Sequence, residues 1–223
     1  RDGAFFVERG CNERKDQSYM LYRLGQDVLS RLIFPLGEIQ DKEQTRRMAR
    51  EAEMPNADNA DSQEICFIDD KKDNHSQFIQ RRGYAPKTGN FVDADGKVLG
   101  QHKGLLNYTI GQRKGLGIAL GAPAYVCAKD MVANTVTVGP EQQLFATTLI
   151  AENWNFLPFE NLEKPITVYA KARYRHEPQP ATVYPTEDGN AKVVFDQPQR
   201  AITPGQTVVL YDGDMVVGSG IIT

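Results

Sequence analysis

ITVYAKARYR, residues 166–175, alternates in a way that decides the fold. Ile166, Val168, Ala170 and Ala172 fall on one side of an extended chain, while Thr167, Tyr169, Lys171, Arg173 and Arg175 fall on the other. This is the pattern of a strand with one face in a core and the other in water. ATVYP, AKVVF, QTVVLY and MVVGSGII follow it, broken by Asp188-Gly189, Pro204-Gly205 and Asp212-Gly213. Short strands at this spacing predict a small antiparallel barrel at the C-terminal end.

Working back from the barrel, the pattern changes. Asn90–Leu99 carries Asp95-Gly96 between FVD and KVL, a hairpin signal. A short helix is predicted from about Ser76 to Arg82, closed by Gly83. Residues 55–65 read as a loop after Met54-Pro55-Asn56. Asp41 is a good N-cap, with Gln44 three residues on, for the helix that contains TRRMAREAEM. In residues 18–32, Leu21, Leu24, Val28 and Leu32 recur at spacings of three and four, predicting one amphipathic helix that ends at Phe34-Pro35-Leu36-Gly37. The fold class expected is α+β: a helical linker segment over 1–60, a small central domain over 61–145, and a C-terminal antiparallel β-barrel over 146–223. The break before the barrel is expected between 140 and 165, around Gly139-Pro140 and Pro158.

Bulk properties exclude several classes. The chain has 223 residues, 40% of them hydrophobic and 25% charged, an ordinary composition for a folded protein. No stretch approaches eighteen apolar residues, so no membrane span and no membrane partner is expected. The opening RDGAFFVERG has neither an initiator Met nor an apolar signal region and fits a piece of something longer. Twenty-six basic against twenty-nine acidic residues give a net charge of -3, which argues against a general nucleic-acid coat but leaves room for a local basic patch. Cys11, Cys66 and Cys127 are odd in number and widely spaced, with no CxxC. That usage suits a reducing, cytoplasmic compartment. His75, His102 and His176 are scattered, and no metal site is predicted.

Four stretches carry candidate chemistry. In DSQEICFID, residues 61–69, Cys66 is either a buried small hydrophobe beside Ile65, Phe67 and Ile68 or a reactive thiolate. The second role requires a positive partner from elsewhere, since Asp61 and Glu64 raise a thiol's pKa. GLLNYTIGQRKGLGIALG, residues 104–121, sets Arg113 and Lys114 among glycines; it is neither a Walker loop nor a dinucleotide fingerprint. Structural turns and an anion or RNA contact are both open for it. KARYRHEPQP, residues 171–180, offers a basic strand face with Tyr169 nearby, either a solvated barrel surface or an RNA contact. In Lys15-Asp16-Gln17, Asp16 or Ser18 caps a helix, or Lys15 and Gln17 read a phosphate and a base edge. Cys127 reads as packing on a strand, and Cys11 sits in a loop.

Taken in order, KDQSYMLYRL, FPLGEIQDKEQTRRMA, DSQEICFI, GLLNYTIGQRKGLGI, KARYR and TPGQTVVLYDGDMVVGSGII resemble the tRNA-specific 2-thiouridylases nearly end to end. The resemblance implies a sulfurtransferase acting on the wobble uridine of certain tRNAs. ATP activates the uracil 2-oxygen, a cysteine persulfide delivers sulfur, and a second cysteine resolves the remaining persulfide by forming a disulfide. It implies that Cys66 is the persulfide cysteine. It also implies that Lys15, Asp16, Gln17, Arg173, Tyr174 and Gln206 contact tRNA, and that a sulfur-donor protein is a further partner. Arg113 and Lys114 are left to support the cysteine loop or to face RNA. The family's SGGVDSS-like phosphate loop has no counterpart in this sequence. The expectation is therefore a chain lacking the N-terminal ATP-pyrophosphatase domain, with the ATP site and the second catalytic cysteine absent, no cofactor-binding residue of its own, and no activity alone. The alternative expectation is a non-catalytic tRNA-binding module. A third is an interaction fragment with exposed apolar surface.

Overall fold

A computed structural model describes residues 3–59 and 75–223. Among the described residues three short helices, α1 (Gln26–Leu29), α2 (Lys42–Glu51) and α3 (His75–Arg81), precede ten strands. The chain forms two compact units: Arg1–Asn59 with Ala146–Thr223, and Ala60–Phe145. Among the described residues no helix is long and apolar enough to cross a membrane.

The second unit is built on a four-stranded sheet of β1 (Gly89–Val92), β2 (Val98–His102), β3 (Tyr125–Asp130) and β4 (Thr135–Gly139), in the order β2-β1-β4-β3. The β1–β4 pair is parallel; β1–β2 and β3–β4 are antiparallel. The expected hairpin forms β1 and β2. Gly96 takes φ +81°, and the Asp93 carboxylate accepts from the amides of Asp95 and Lys97 at 3.0 and 2.9 Å. Phe91, His102 and Tyr108 pack edge to face at the centre. The His102 Nδ1 accepts from the Gly104 amide at 3.0 Å, so its Nε2 carries the hydrogen toward the Asn134 carbonyl at 3.1 Å. This histidine is structural.

The first unit contains a closed barrel of β5 (Phe145–Phe156), β6 (Ile166–Lys171), β7 (Gln179–Pro185), β8 (Ala191–Arg200), β9 (Thr207–Asp212) and β10 (Met215–Ile222), ordered β10-β5-β8-β7-β6-β9. Its α+β class and antiparallel barrel are those the alternation predicts. Val168, Ala170, Val183, Val193, Phe195, Val208 and Leu210 fill the inside. Closure pairs every strand on both sides and leaves no edge to aggregate.

Strand β9 departs from alternation: Thr207 to Tyr211 are all buried. Val208 and Leu210 face the barrel interior. Val209 and Tyr211 are covered from outside by Val7, Tyr19 and Leu29 of the N-terminal segment. The amide of Val216 donates to Val7 and that of Arg9 to Asp214, both through main-chain carbonyls. The stretch from Val7 to Leu29 thus covers one outer face of the barrel.

That docking overrides the predicted helix over 18–32. The chain instead forms a 3-10 turn at Ser18–Leu21, an extended Gly25 and the single-turn α1. The Tyr22 carbonyl accepts from Asn155 Nδ2 and Ser219 Oγ, both at 2.9 Å, so barrel side chains take up an acceptor a continuous helix would use internally. Tyr19 and Leu29 are buried while Val28 and Leu32 are exposed, shifting the inner face off the predicted stripe. By contrast, the Asp41 cap forms as expected, its carboxylate accepting from the Gln44 amide at 2.7 Å.

Candidate nucleic-acid interface

Strand β6 ends at Lys171, earlier than its sequence alternation suggests. The backbone then turns, with the amide of His176 donating to the Arg173 carbonyl at 3.1 Å. Arg173 and Tyr174 therefore sit on a turn at the strand's end rather than on a flat strand face. A neighbouring turn over Thr203–Gln206 is made possible by Gly205 at φ +81° and closed by the Gln206 amide on the Thr203 carbonyl. A guanidinium nitrogen of Arg173 donates to Thr203 Oγ1, tying the two turns together.

The N-terminal segment reaches the same place. Lys15 ends a 3-10 turn begun at Glu13, and Asp16 and Gln17 link it to the next one. The Asp16 carboxylate is only 6% exposed. It accepts from the Gly10 amide, the Ser18 amide and the Ser18 hydroxyl at 3.1, 3.1 and 2.8 Å, with Arg9 at 3.9 Å. Asp16 therefore holds this connection rigid while Lys15 and Gln17 remain exposed. The Tyr19 hydroxyl donates to the Thr207 carbonyl at 2.7 Å, and its ring lies against Tyr174. Lys15, Asp16, Gln17, Arg173, Tyr174 and Gln206 thus belong to one connected neighbourhood of the barrel unit.

Charge concentrates there. The Lys171 ammonium is pushed toward its neutral form by burial, opposed by Asp16 and Glu177 and reinforced by Arg9. Burial and then Arg200 lower the pKa of Arg173. His176 is held below the ordinary imidazole value by burial, then by Arg173, Arg200 and Lys171. Cations that repel one another while losing water gain when an anion arrives, which is what a phosphodiester supplies. Lys171 was legible as part of a basic strand. Arg9, Tyr19 and Arg200 escape sequence reading because only the fold brings them to this turn, whereas His176 lies within the 171–180 stretch itself.

The remaining candidates lie elsewhere. Cys66 falls outside the described residues. In the second unit, Arg113 and Lys114 are exposed beside a cleft of about 250 Å³ bordered by Leu116, Ile118 and Pro123. The Gln112 side chain braces that loop, accepting from the Thr109 amide at 3.0 Å and donating to the Lys114 carbonyl at 2.9 Å. Cys127 lies on β3, half-buried, with its thiol pKa raised by burial. Cys11 is exposed.

Comparison with known proteins covers the whole chain. Residues 1–70 match the family described as the tRNA methyl transferase HUP domain, 76–140 the tRNA methyl transferase PRC-barrel domain, and 146–222 the aminomethyltransferase beta-barrel domain. The chain is 48% identical over 222 residues to the tRNA-specific 2-thiouridylase MnmA of Clostridium acetobutylicum, covering 99% of this chain and 62% of that protein. It is 51% identical over 218 residues to MnmA 2 of Clostridium botulinum strain Loch Maree, covering 97% and 61%. With MnmA of Acetivibrio thermocellus the identity is 46% over 219 residues, covering 98% and 60%. The chain spans about three-fifths of the length of these relatives.

These matches correct one expectation. The N-terminal ATP-domain sequence is not missing: residues 1–70 match the HUP domain, so neither the recognition as a chain lacking it, nor an absent ATP site, nor a missing partner domain stands. The expectation rested on a single fingerprint, the glycine-rich phosphate loop. KDQSYMLYRL and FPLGEIQDKEQTRRMA, both inside that match, were read as a linker rather than as part of the domain.

Proposed function

We propose that this chain, similar along its whole length to the tRNA-specific 2-thiouridylases, works in replacing the 2-oxygen of a wobble uridine in tRNA with sulfur. The structural observation carrying the RNA half of this reading is the convergence of three separate segments, 15–19, 171–176 and 203–207, on one basic, aromatic end of the barrel unit. Lys15, Gln17, Arg173, Tyr174 and Gln206 contact the RNA. Asp16 keeps the first of these segments in shape.

The sulfur half rests on similarity and on Cys66. ATP supplies the activation that turns the uracil 2-oxygen into a leaving group. The terminal sulfur of a Cys66 persulfide forms a bond to C2 and the oxygen leaves with AMP. A second thiol then attacks the sulfur still attached to Cys66, breaking that S–S bond and closing a disulfide between the two cysteines. A sulfur-donor protein recharges Cys66, and the reducing cytoplasm restores the thiols.

The family descriptions speak of methyl transfer, whereas the names of relatives at 46–51% identity speak of 2-thiouridylation. Nucleoside mass distinguishes an oxygen replaced by sulfur from an added methylene. In the full-length protein, with ATP, unmodified tRNA and a sulfur donor, the product gains sulfur and Cys66→Ser abolishes it while tRNA still binds. Undiminished thiolation by Cys66→Ser sinks the assignment of that cysteine, and a methylated product sinks the reaction.

A further inference from the structure

Lys171 closes β6 with its ammonium 5.7 Å from the ring centres of both Tyr19 and Tyr174. Those rings are 5.8 Å apart and inclined by 59°. The two tyrosines are not equivalent. Tyr19 is 5% exposed and pinned by its hydroxyl to the Thr207 carbonyl, whereas Tyr174 is 41% exposed at the turn. The arrangement is an anchored inner ring, an outer ring open to solvent that leans on it, and a half-buried cation beside both.

We infer that Tyr19 and Lys171 are positioning residues that hold Tyr174 as a preformed stacking platform for one unpaired RNA base, with the Lys171 charge drawing that nucleotide's phosphate to the same spot. This rests on the reading that the barrel end contacts tRNA. An exposed tyrosine on a turn otherwise loses side-chain freedom when a base stacks on it. Here the ring is ordered before the RNA arrives, so less entropy is lost on binding. An ammonium within about 6 Å of a ring is attracted to its face, and partial desolvation strengthens that attraction. Base–aromatic stacking tolerates any base, so the platform fixes position rather than sequence. Arg173, tied to Thr203, and Arg200 beside it extend the positive field along the RNA backbone.

The test is a double-mutant cycle on binding of an unmodified tRNA transcript to the full-length protein, titrated across salt concentrations. Tyr174→Leu weakens binding roughly tenfold with little change in salt dependence. Lys171→Met, which keeps the aliphatic stem, weakens binding and lowers the salt slope by about one. The double variant loses less than the product of the two, because without the ring the cation has nothing to position, and Lys171→Arg restores most of the affinity. Tyr19→Leu weakens binding without the slope change, at unaltered Arg173 dependence. The inference is overturned if the Lys171 and Tyr174 effects multiply independently, or if Lys171→Met is silent while Arg173→Ala weakens binding. Silence of both Arg173→Ala and Tyr174→Leu overturns the tRNA contact at this surface, and the platform with it.

Discussion

Tyr19 bridges two parts of the chain: its hydroxyl donates to the Thr207 carbonyl at 2.7 Å while its ring leans on Tyr174. Burial, followed by the neighbouring Tyr211 and Tyr22, pushes its phenol up to about 12. A folded-state pKa above the unfolded value of 10.0 means that stability from this group is intact below pH 10 and is lost as pH rises toward 12. Tyr19→Phe removes the hydrogen bond and leaves a buried carbonyl without it, costing about 1–3 kcal/mol at neutral pH. The variant also loses less stability than the parent on going alkaline. Urea titrations at neutral and alkaline pH check both; an identical alkaline loss in parent and variant contradicts the assignment.

Asp16 and Lys15 are neighbours with separable roles. Asp16→Ala strips three acceptor contacts from the 10–18 turn and is expected to cost about 2–3 kcal/mol, read as a lower denaturation midpoint. Lys15→Ala is expected to stay within about 0.5 kcal/mol of the parent and to weaken tRNA binding with a reduced salt slope. Equal stability losses in the two variants refute the division.

His176 provides a pH handle on the basic turn. Its folded pKa lies below the ordinary 6.5, so the unfolded chain takes up the proton first. Stability is intact above pH 6.5 and falls as pH drops below it, until the folded imidazole protonates in turn. His176→Gln flattens this acid loss. A phosphate beside the imidazole reverses the bias, so tRNA binding near pH 6 takes up protons. Calorimetry in buffers of different ionisation heats measures that uptake, and uptake persisting unchanged in His176→Gln assigns it to another group.

The second unit offers a stability test independent of RNA. Gly89 stands where an added Cβ meets the Asn134 carbonyl and comes within 2.7 Å of His102 Nε2. Gly89→Ala therefore disturbs the buried His102–Asn134 contact at a cost of about 1–3 kcal/mol. A thermal midpoint equal to that of the parent argues that β1 shifts without penalty.

How much was legible follows from where each signal originates. Strand β6 and the Asp95-Gly96 hairpin were readable because alternation and turn chemistry are local. QTVVLY gave no sign of which partner buries its outer face. Its run of buried residues is explained only by Val7, Tyr19 and Leu29 arriving from far upstream. The 18–32 helix failed for the same reason: Asn155 and Ser219 compete for the Tyr22 carbonyl, and nothing within that window reports on them. At the site, Arg173 and Tyr174 were identified by resemblance and Lys171 as a charge on a strand. The Tyr19–Lys171–Tyr174 cluster exists only once the N-terminal segment docks on the barrel. The HUP-domain match escaped because the expectation hung on the phosphate loop, while KDQSYMLYRL and FPLGEIQDKEQTRRMA were assigned to a linker.

The most direct test of the account is backbone hydrogen exchange of the full-length protein with and without unmodified tRNA. Slowed exchange is predicted at residues 10–19, 171–176 and 203–207 together, and Arg173→Ala diminishes it at all three. Protection confined to residues 104–121 around Arg113 and Lys114, with the three barrel-unit segments unchanged, contradicts the placement of the RNA on the barrel.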